Sequence, residues 1–386
     1  MEKKKGWLFA LPWSPEEIGG VNTVVTELCK EMNKGSAFKP FILVDDWEAN
    51  KPIVIEKNDY TEIHYRLREF SVKFDRNLLG FFLHLPKTLF TLYRLFKRYN
   101  IRVINPHYPN LTSIYFALFK LFRLKAAFII SFHGSDLTDI EKSPVTFPVW
   151  EFILKCANQV ISCSKGMSTA LNAVFSSVTS KSFFVHNGLS ANFFKQPEEY
   201  SSQNNVVIQK NYILSVGTFE HQKGQDVLIT AFSLIAAQFD EVDLVLVGRT
   251  ASALTAYKQQ VAQLNLLERV HFYENIQPAH IGLFYKNAKL YVSASKKESF
   301  GLVMLEAAAF KVPVIATKTI GACEIIENGV DGKLVSIDDF EAIAEQIRML
   351  LSDEVQCKRL AERLYHKARY EFTWAKALKK YMSYVQ

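Results

Sequence analysis

No stretch of this 386-residue chain reaches 18 consecutive apolar residues, so nothing in the sequence reads as a membrane-spanning helix. Cysteine is scarce. The five (Cys29, Cys156, Cys163, Cys323 and Cys357) are scattered and form no C-x-x-C, which speaks against disulfides and structural zinc and for a reducing compartment. Neither G-x-G-x-x-G nor G-x-x-x-x-G-K-[ST] occurs, so dinucleotide and P-loop readings fall. Metal-ligand spacing is also missing. Asp45-Asp46 and Asp338-Asp339 are adjacent pairs without a third partner, and neither a metal nor a cofactor is expected. The last absence is of one sign of charge. Between Asp75 and Asp136 there is no acidic residue, while that window holds nine Lys/Arg, among them Arg123, and thirteen aromatics. Many of those aromatics fit the core faces of helices, yet Lys87, Arg94, Lys97 and Arg98 cannot all be core. A basic-aromatic surface over 76–135 suits an anionic membrane. Nucleic acid is the rival partner, and no nucleic-acid motif accompanies the patch.

What is present is globular. Apolar residues make up 49% and charged residues 22%, with a net charge of +7. The length suits two domains. The start is lysine-rich and then apolar only from Trp7 to Trp13, with Pro12 inside, which reads as a first buried strand rather than a signal peptide. Short apolar runs at 5–12, 40–44, 102–105, 126–132, 159–163 and 182–185 alternate with helix-like stretches at 20–34, 83–99, 111–121, 147–156 and 165–175. This rhythm predicts a parallel sheet covered by helices. The 45–75 region has room for an extra strand or two. A polar, aperiodic stretch at 195–205 reads as a linker. The rhythm restarts with strands at 211–217, 242–248, 270–273, 289–294 and 312–316, and helices at 225–239, 251–264, 278–287, 302–310 and 338–351. The expectation is α/β: two tandem Rossmann-like, doubly wound domains, 1–200 and 206–370, facing across a cleft. A C-terminal helix at 371–386 would pack back on the first domain.

The chemistry concentrates at strand ends. Glu298-Ser299-Phe300-Gly301-Leu302 follows an apolar strand and opens an alanine-rich helix that carries Glu306. Such a junction offers free N–H groups and a positive dipole end to an anion. A carboxylate on each side of it suits a phosphate flanked by hydroxyls, as in a nucleotide sugar. The bland alternative makes Glu298 a cap and Glu306 a surface residue, but Glu306 sits in an otherwise apolar helix and a charge there needs a partner. A second strand–turn–helix junction, Gly217 to Gly224, carries Lys223, either on a phosphate or simply solvated. In the first half, His133 ends a strand and precedes Gly134-Ser135-Asp136, where a helix cap is the competing reading. Gly19-Gly20 opens a helix and leaves room for close approach to a phosphate.

In that order, these segments resemble the family 4 glycosyltransferases of the GT-B fold. The resemblance runs through Gly19-Gly20, His133-Gly134-Ser135-Asp136, Asn187-Gly188, Val216-Gly217 with Lys223-Gly224, Glu298 to Glu306, Pro313 to Ala316 and Gly321 to Glu324. It implies retaining, metal-independent transfer from a nucleotide-diphosphate sugar to an acceptor hydroxyl, a glycan or a lipid-linked molecule, in surface polysaccharide or glycolipid assembly. A cytoplasmic protein is expected, and the basic-aromatic surface over 76–135 adds the expectation of peripheral contact at the inner membrane face. In that frame Glu306 holds the ribose, Glu298 positions the donor sugar, and His133 contacts the sugar near the reacting centre. Lys223, the N–H groups of Phe300 to Leu302 and the Ser299 turn meet the diphosphate, which Gly19-Gly20 approach from the acceptor side. One departure stands out: Thr218 occupies the position where the family often has arginine. Either donor binding is weaker or Lys296, Lys297 or Arg249 substitutes. A non-catalytic sugar-nucleotide-binding subunit is the alternative that this departure keeps open. A phosphorylase or epimerase on the same scaffold lacks its extra lysine or acids here.

Overall fold

The computed structural model describes residues 4–17, 19–121, 125–194 and 211–385. The expected linker at 195–205 and Arg123 lie outside them. The chain divides into two compact units, residues 1–187 with 374–386, and residues 188–373. The division falls at Asn187/Gly188, ahead of the stretch the sequence marks as a linker. Residues just past it are held by the second unit, where the Leu189 N–H donates to the Phe372 carbonyl at 2.9 Å and Phe193 packs on Phe310.

The first unit is built on an eight-stranded sheet. Its strands are β1 (Lys5–Leu11), β2 (Phe38–Asp45), β3 (Ile53–Glu56), β4 (Thr61–Tyr65), β5 (Ile101–Pro106), β6 (Ala127–Phe132), β7 (Gln159–Ser162) and β8 (Ser182–Phe184). The order is β3-β4-β2-β1-β5-β6-β7-β8. All neighbours are parallel except the β3–β4 pair at the edge. Central strands are apolar throughout because helices cover both faces; every β1 residue after Lys5 is buried. Helix Trp374–Ser383 belongs to this unit and puts Trp374, Ala377, Leu378 and Tyr381 into the core with Trp7, Phe9, Val25 and Leu28. Their i, i+3, i+4, i+7 spacing makes one face of the helix apolar.

The second unit holds a six-stranded, all-parallel sheet. Its strands are β9 (Asn211–Val216), β10 (Val242–Gly248), β11 (Val270–Glu274), β12 (Ala288–Ser293), β13 (Val314–Thr317) and β14 (Lys333–Val335), in the order β11-β10-β9-β12-β13-β14.

Several elements differ from expectation for local reasons. The helix expected from residue 83 begins at Arg76, because the Asp75 carboxylate accepts the N–H groups of Asn77 and Leu78 at 3.0 and 2.9 Å. Gly80 and Pro86 obscure that helix in the sequence. Pro86 lies on the exposed face of this helix, where a lost intrahelical bond costs least. The long polar helix Glu354–Glu371 buries only Leu360, Ala361, Leu364 and Ala368, a seam too narrow to stand out.

Candidate functional site

Both sheets reverse their direction of growth beside their first strand. β1 lies between β2 and β5, and β9 lies between β10 and β12. In doubly wound sheets ligands bind beside this point, at the carboxyl ends of the strands. The residues singled out in the sequence fall on those loops in each unit.

In the second unit, the loop after β9 carries Lys223 and turns at Gly224, whose φ is +65°. A Cβ there would sit 2.0 Å from the Ala294 carbonyl oxygen, so only glycine lets the loop lie on the end of β12. The loop after β12 carries Glu298. Gly301, at φ +92°, then starts helix Leu302–Ala309; a Cβ on it would meet Met304 Cε at 2.2 Å and Glu298 Cγ at 3.1 Å. The Met304 N–H already bonds the Gly301 carbonyl at 3.0 Å, the N–H groups of Leu302 and Val303 ahead of it lie in the first turn, where a helix offers no acceptor, and the positive dipole end faces the same way. Phe300 is buried against Phe372. Lys223 Nζ lies 2.7 Å from Glu298 Oε2, with both side chains partly exposed, at 25% and 16%. The sequence assigns Lys223 to phosphate and Glu298 to sugar; here they neutralise each other beside the helix N-terminus.

Glu306 lies on the second turn of that helix, half-buried. The hydroxyl of the fully buried Tyr285 donates to Glu306 Oε2 at 2.9 Å. Burial pushes the Glu306 carboxyl up to about 7, while the Tyr285 hydrogen bond pulls the other way. The buried Tyr285 phenol rises well above its ordinary range. Of the cations that could stand in beside Thr218, Lys296 is held by Asp338 at 2.8 Å and Asp226 at 3.6 Å. Lys297 and Arg249 are exposed and have no carboxylate within 4.0 Å among the described residues.

In the first unit, Gly19 is extended (φ −178°) and precedes helix Gly20–Asn33. A Cβ at Gly19 or Gly20 would meet no described atom within 4 Å, so both border open space. The loop ahead of them is clamped by the buried Asn22, whose amide donates to the Ser14 and Glu17 carbonyls at 3.0 and 2.7 Å and accepts from Trp13 Nε1 at 2.8 Å. At the end of β6, the Asp136 carboxylate accepts the backbone N–H groups of His133, Gly134 and Leu137 at 2.7–2.9 Å. Burial raises Asp136 to about 6 against those three bonds. Asp136 is the second residue of helix Ser135–Glu141, whose N-cap is Gly134 without a side-chain cap, so it is not the helix cap that the sequence offered as the plainer reading; its carboxylate instead ties down the turn ahead of the helix and fixes the His133 backbone. The His133 side chain is half-buried, with burial bringing its imidazole down to about 4. Its Nε2 lies 2.9 Å from Nδ1 of His107, which follows β5 and is fully buried. Tyr108 ties three carboxyl-end loops together. Its ring packs on Trp13, and its hydroxyl donates to Ser135 Oγ at 3.1 Å.

Sequence reasoning missed His107, Asn22 and Tyr285. His107 carries the same signal as His133, an imidazole just past a buried strand. Asn22 and Tyr285 look like ordinary helix residues, and only tertiary contact shows what they hold.

Comparison with known proteins places these loops in context. Residues 18–193 match the family model described as Glycosyltransferase Family 4. Residues 196–369 match the one described as Glycosyl transferases group 1. The chain is 29% identical over 226 residues to the capsular polysaccharide biosynthesis glycosyltransferase CapM of Staphylococcus aureus, covering 55% of this chain and 56% of that protein. It is 24% identical over 302 residues to the N-acetyl-alpha-D-glucosaminyl L-malate synthase of Bacillus anthracis, covering 74% of each. Among solved structures, the sucrose-phosphate synthase from Thermosynechococcus elongatus superposes with a TM-score of 0.79 at 22% identity over 98% of each chain. Anabaena HepE in complex with UDP and glucose superposes with a TM-score of 0.77 at 18% identity, again over 98% of each. At these identities the structural likeness speaks to the fold.

Proposed function

The chain belongs to the family 4, group 1 glycosyl transferases of GT-B fold, and from that premise we propose that it is a retaining, metal-independent hexosyltransferase of cell-surface polysaccharide or glycolipid assembly. It moves a sugar from a nucleotide-diphosphate donor to a hydroxyl of a glycan or lipid-linked acceptor. The observation that carries this reading is the junction after β12, where a helix N-terminus, an ion-paired lysine and two carboxylates converge. Charge growing on the leaving diphosphate is met by Lys223 and the leading N–H groups of helix Leu302–Ala309. Glu306 accepts from the ribose hydroxyls. Glu298 holds the transferred sugar, which His133 also contacts, while Gly19-Gly20 give the diphosphate room. A thermal-shift panel of UDP-, GDP- and dTDP-sugars tests the reading. One nucleotide class is expected to raise the melting temperature, by about 2.7 kcal/mol of added stability at a hundredfold excess over Kd. No shift with any of them would remove the donor assignment.

The acceptor reading includes a surface. Helix Arg76–Arg98 contains no acidic residue and leaves Leu79 (72%), Phe82 (55%), Leu83 (75%) and Phe90 (61%) exposed. Lys87, Arg94, Lys97 and Arg98 border them, with Arg94 over the Phe90 ring and Lys97 over Tyr93. Apolar side chains rimmed by cations suit the headgroup region of an anionic bilayer, where a lipid-linked acceptor would lie on the cytoplasmic side. No described helix is long and apolar enough to cross a membrane. The protein is expected to sediment with phosphatidylglycerol-containing vesicles at low salt and to be released by salt or by the change Leu83→Glu. Failure to sediment at low salt would remove the membrane partner.

A further inference from the structure

We infer that His107 is a positioning residue that sets the tautomer of His133: His133 keeps its proton on Nε2, donated to His107, and presents a bare Nδ1 that can only accept a hydrogen bond. The assignment starts at a backbone carbonyl. The Asn105 side-chain nitrogen lies 3.3 Å from the Ile129 carbonyl oxygen and 2.9 Å from Ser131 Oγ. A carbonyl only accepts, so that atom is the amide NH2, and Asn105 Oδ1 is the atom facing His107 Nε2 at 3.2 Å. That oxygen also only accepts, so His107 carries its proton on Nε2.

His107 is wholly buried, and burial holds its imidazole neutral, well below the ordinary range. Its Nδ1 therefore has no proton and must accept. The group it faces at 2.9 Å is His133 Nε2, which must donate. His133 is also neutral near pH 7, so its remaining nitrogen, Nδ1, is unprotonated. The network is closed from behind by the C-terminal helix. The Tyr381 hydroxyl lies 3.2 Å from Ser131 Oγ, and the Tyr381 ring stacks on His107. A chain of buried hydrogen bonds with a single consistent direction resists reversal, because any flip leaves two donors or two acceptors facing each other.

The consequence concerns selectivity, and it rests on the reading in which His133 meets the transferred sugar. A bare Nδ1 cannot protonate a leaving group. It accepts from a hydroxyl and favours a sugar that bears one at that position over a deoxyfluoro analogue, whose fluorine cannot donate.

Two-bond imidazole nitrogen–proton correlations on the 15N-histidine-labelled protein test the assignment directly. His133 is expected as the neutral Nε2–H form around neutral pH; an Nδ1–H form overturns the inference. Function gives a second test. His107→Phe, which offers no acceptor, is expected to lower kcat about tenfold or more with little change in donor KM. His107→Gln is expected to restore most of it, since its amide oxygen accepts from His133 while its nitrogen donates to Asn105. Parental kcat in a folded His107→Phe protein also overturns the inference. Parental turnover in His133→Ala would instead remove the reading of the site, with the tautomer assignment left standing.

Discussion

Replacing Glu298 with alanine is expected to lower turnover by roughly three orders of magnitude, about 4 kcal/mol in the transition state, while the nucleoside diphosphate still binds. The reason lies in the pairing seen here. Glu298 and Lys223 are 2.7 Å apart, so removing the carboxylate frees Lys223 for the phosphates instead of disabling it. Affinity for the nucleotide should hold or rise, because the lysine no longer has to leave a partner. In the proposed site, what disappears is the group that orients the transferred sugar, and misorientation is felt in kcat. Lys223→Ala should behave differently, losing nucleotide affinity along with turnover. Steady-state kinetics beside calorimetric titration of the nucleoside diphosphate that the thermal-shift panel selects separate the two patterns. Turnover within a few-fold of the parent in Glu298→Ala would remove Glu298 from the reacting centre. Both side chains are partly exposed, so the pair itself contributes on the order of 1 kcal/mol or less to folding, and lost activity would not report lost structure.

The sequence carried the sheet architecture because parallel strands covered on both faces are continuous apolar runs. β1, β9, β10 and β12 could be read almost to the residue. Elements stabilised by something other than an apolar run were placed loosely or not at all. β3, an exposed edge paired antiparallel to β4, falls with it in the 45–75 region where the sequence has room for an extra strand or two but does not place them, and Glu354–Glu371 is a polar helix with a narrow seam. The site divided along the same line. Glu298, Gly301 and Glu306 were legible because they share one strand–turn–helix segment, where spacing carries geometry. The partners that set their chemistry lie far off in sequence. Tyr285 is 21 residues from Glu306, Lys223 is 75 from Glu298, and Tyr381 is 250 from Ser131. Contacts of that range follow from strand order, and no local pattern announces them. The Lys223–Glu298 pair shows why these residues cannot be read singly: the local pattern suggests a separate ligand group for each, while their mutual attraction depends on a contact between residues 75 apart.

In the proposed site, Glu306 links donor binding to pH and to stability in opposite directions. Its carboxyl titrates near 7 in the folded protein against an ordinary value of 4.5. The folded state therefore holds a proton that the unfolded chain releases. The resulting stabilisation is complete below about pH 4.5, falls as pH rises through that window, and is gone above about pH 7. The difference corresponds to at most about 3 kcal/mol. Glu306→Gln removes this titration while keeping an oxygen for the Tyr285 hydroxyl. Its stability should vary less between pH 5 and pH 8, and at pH 8 it should melt several degrees above the parent. Ligand binding should run the other way. Ribose hydroxyls donate, so they favour the carboxylate, and the nucleoside diphosphate that the thermal-shift panel selects should bind the parent more tightly as pH rises, levelling off above about 7. The glutamine variant should bind the same nucleotide more weakly at pH 8 and show a flatter pH dependence. Melting curves with and without that nucleoside diphosphate at pH 5.5, 7 and 8.5 test both limbs. Coincident stability profiles for parent and variant would show that Glu306 is not held protonated. A flat affinity profile in the parent would take the ribose away from it. Both limbs have one cause: a carboxylate kept half-buried against Tyr285 is poorly solvated until a ligand that donates hydrogen bonds arrives.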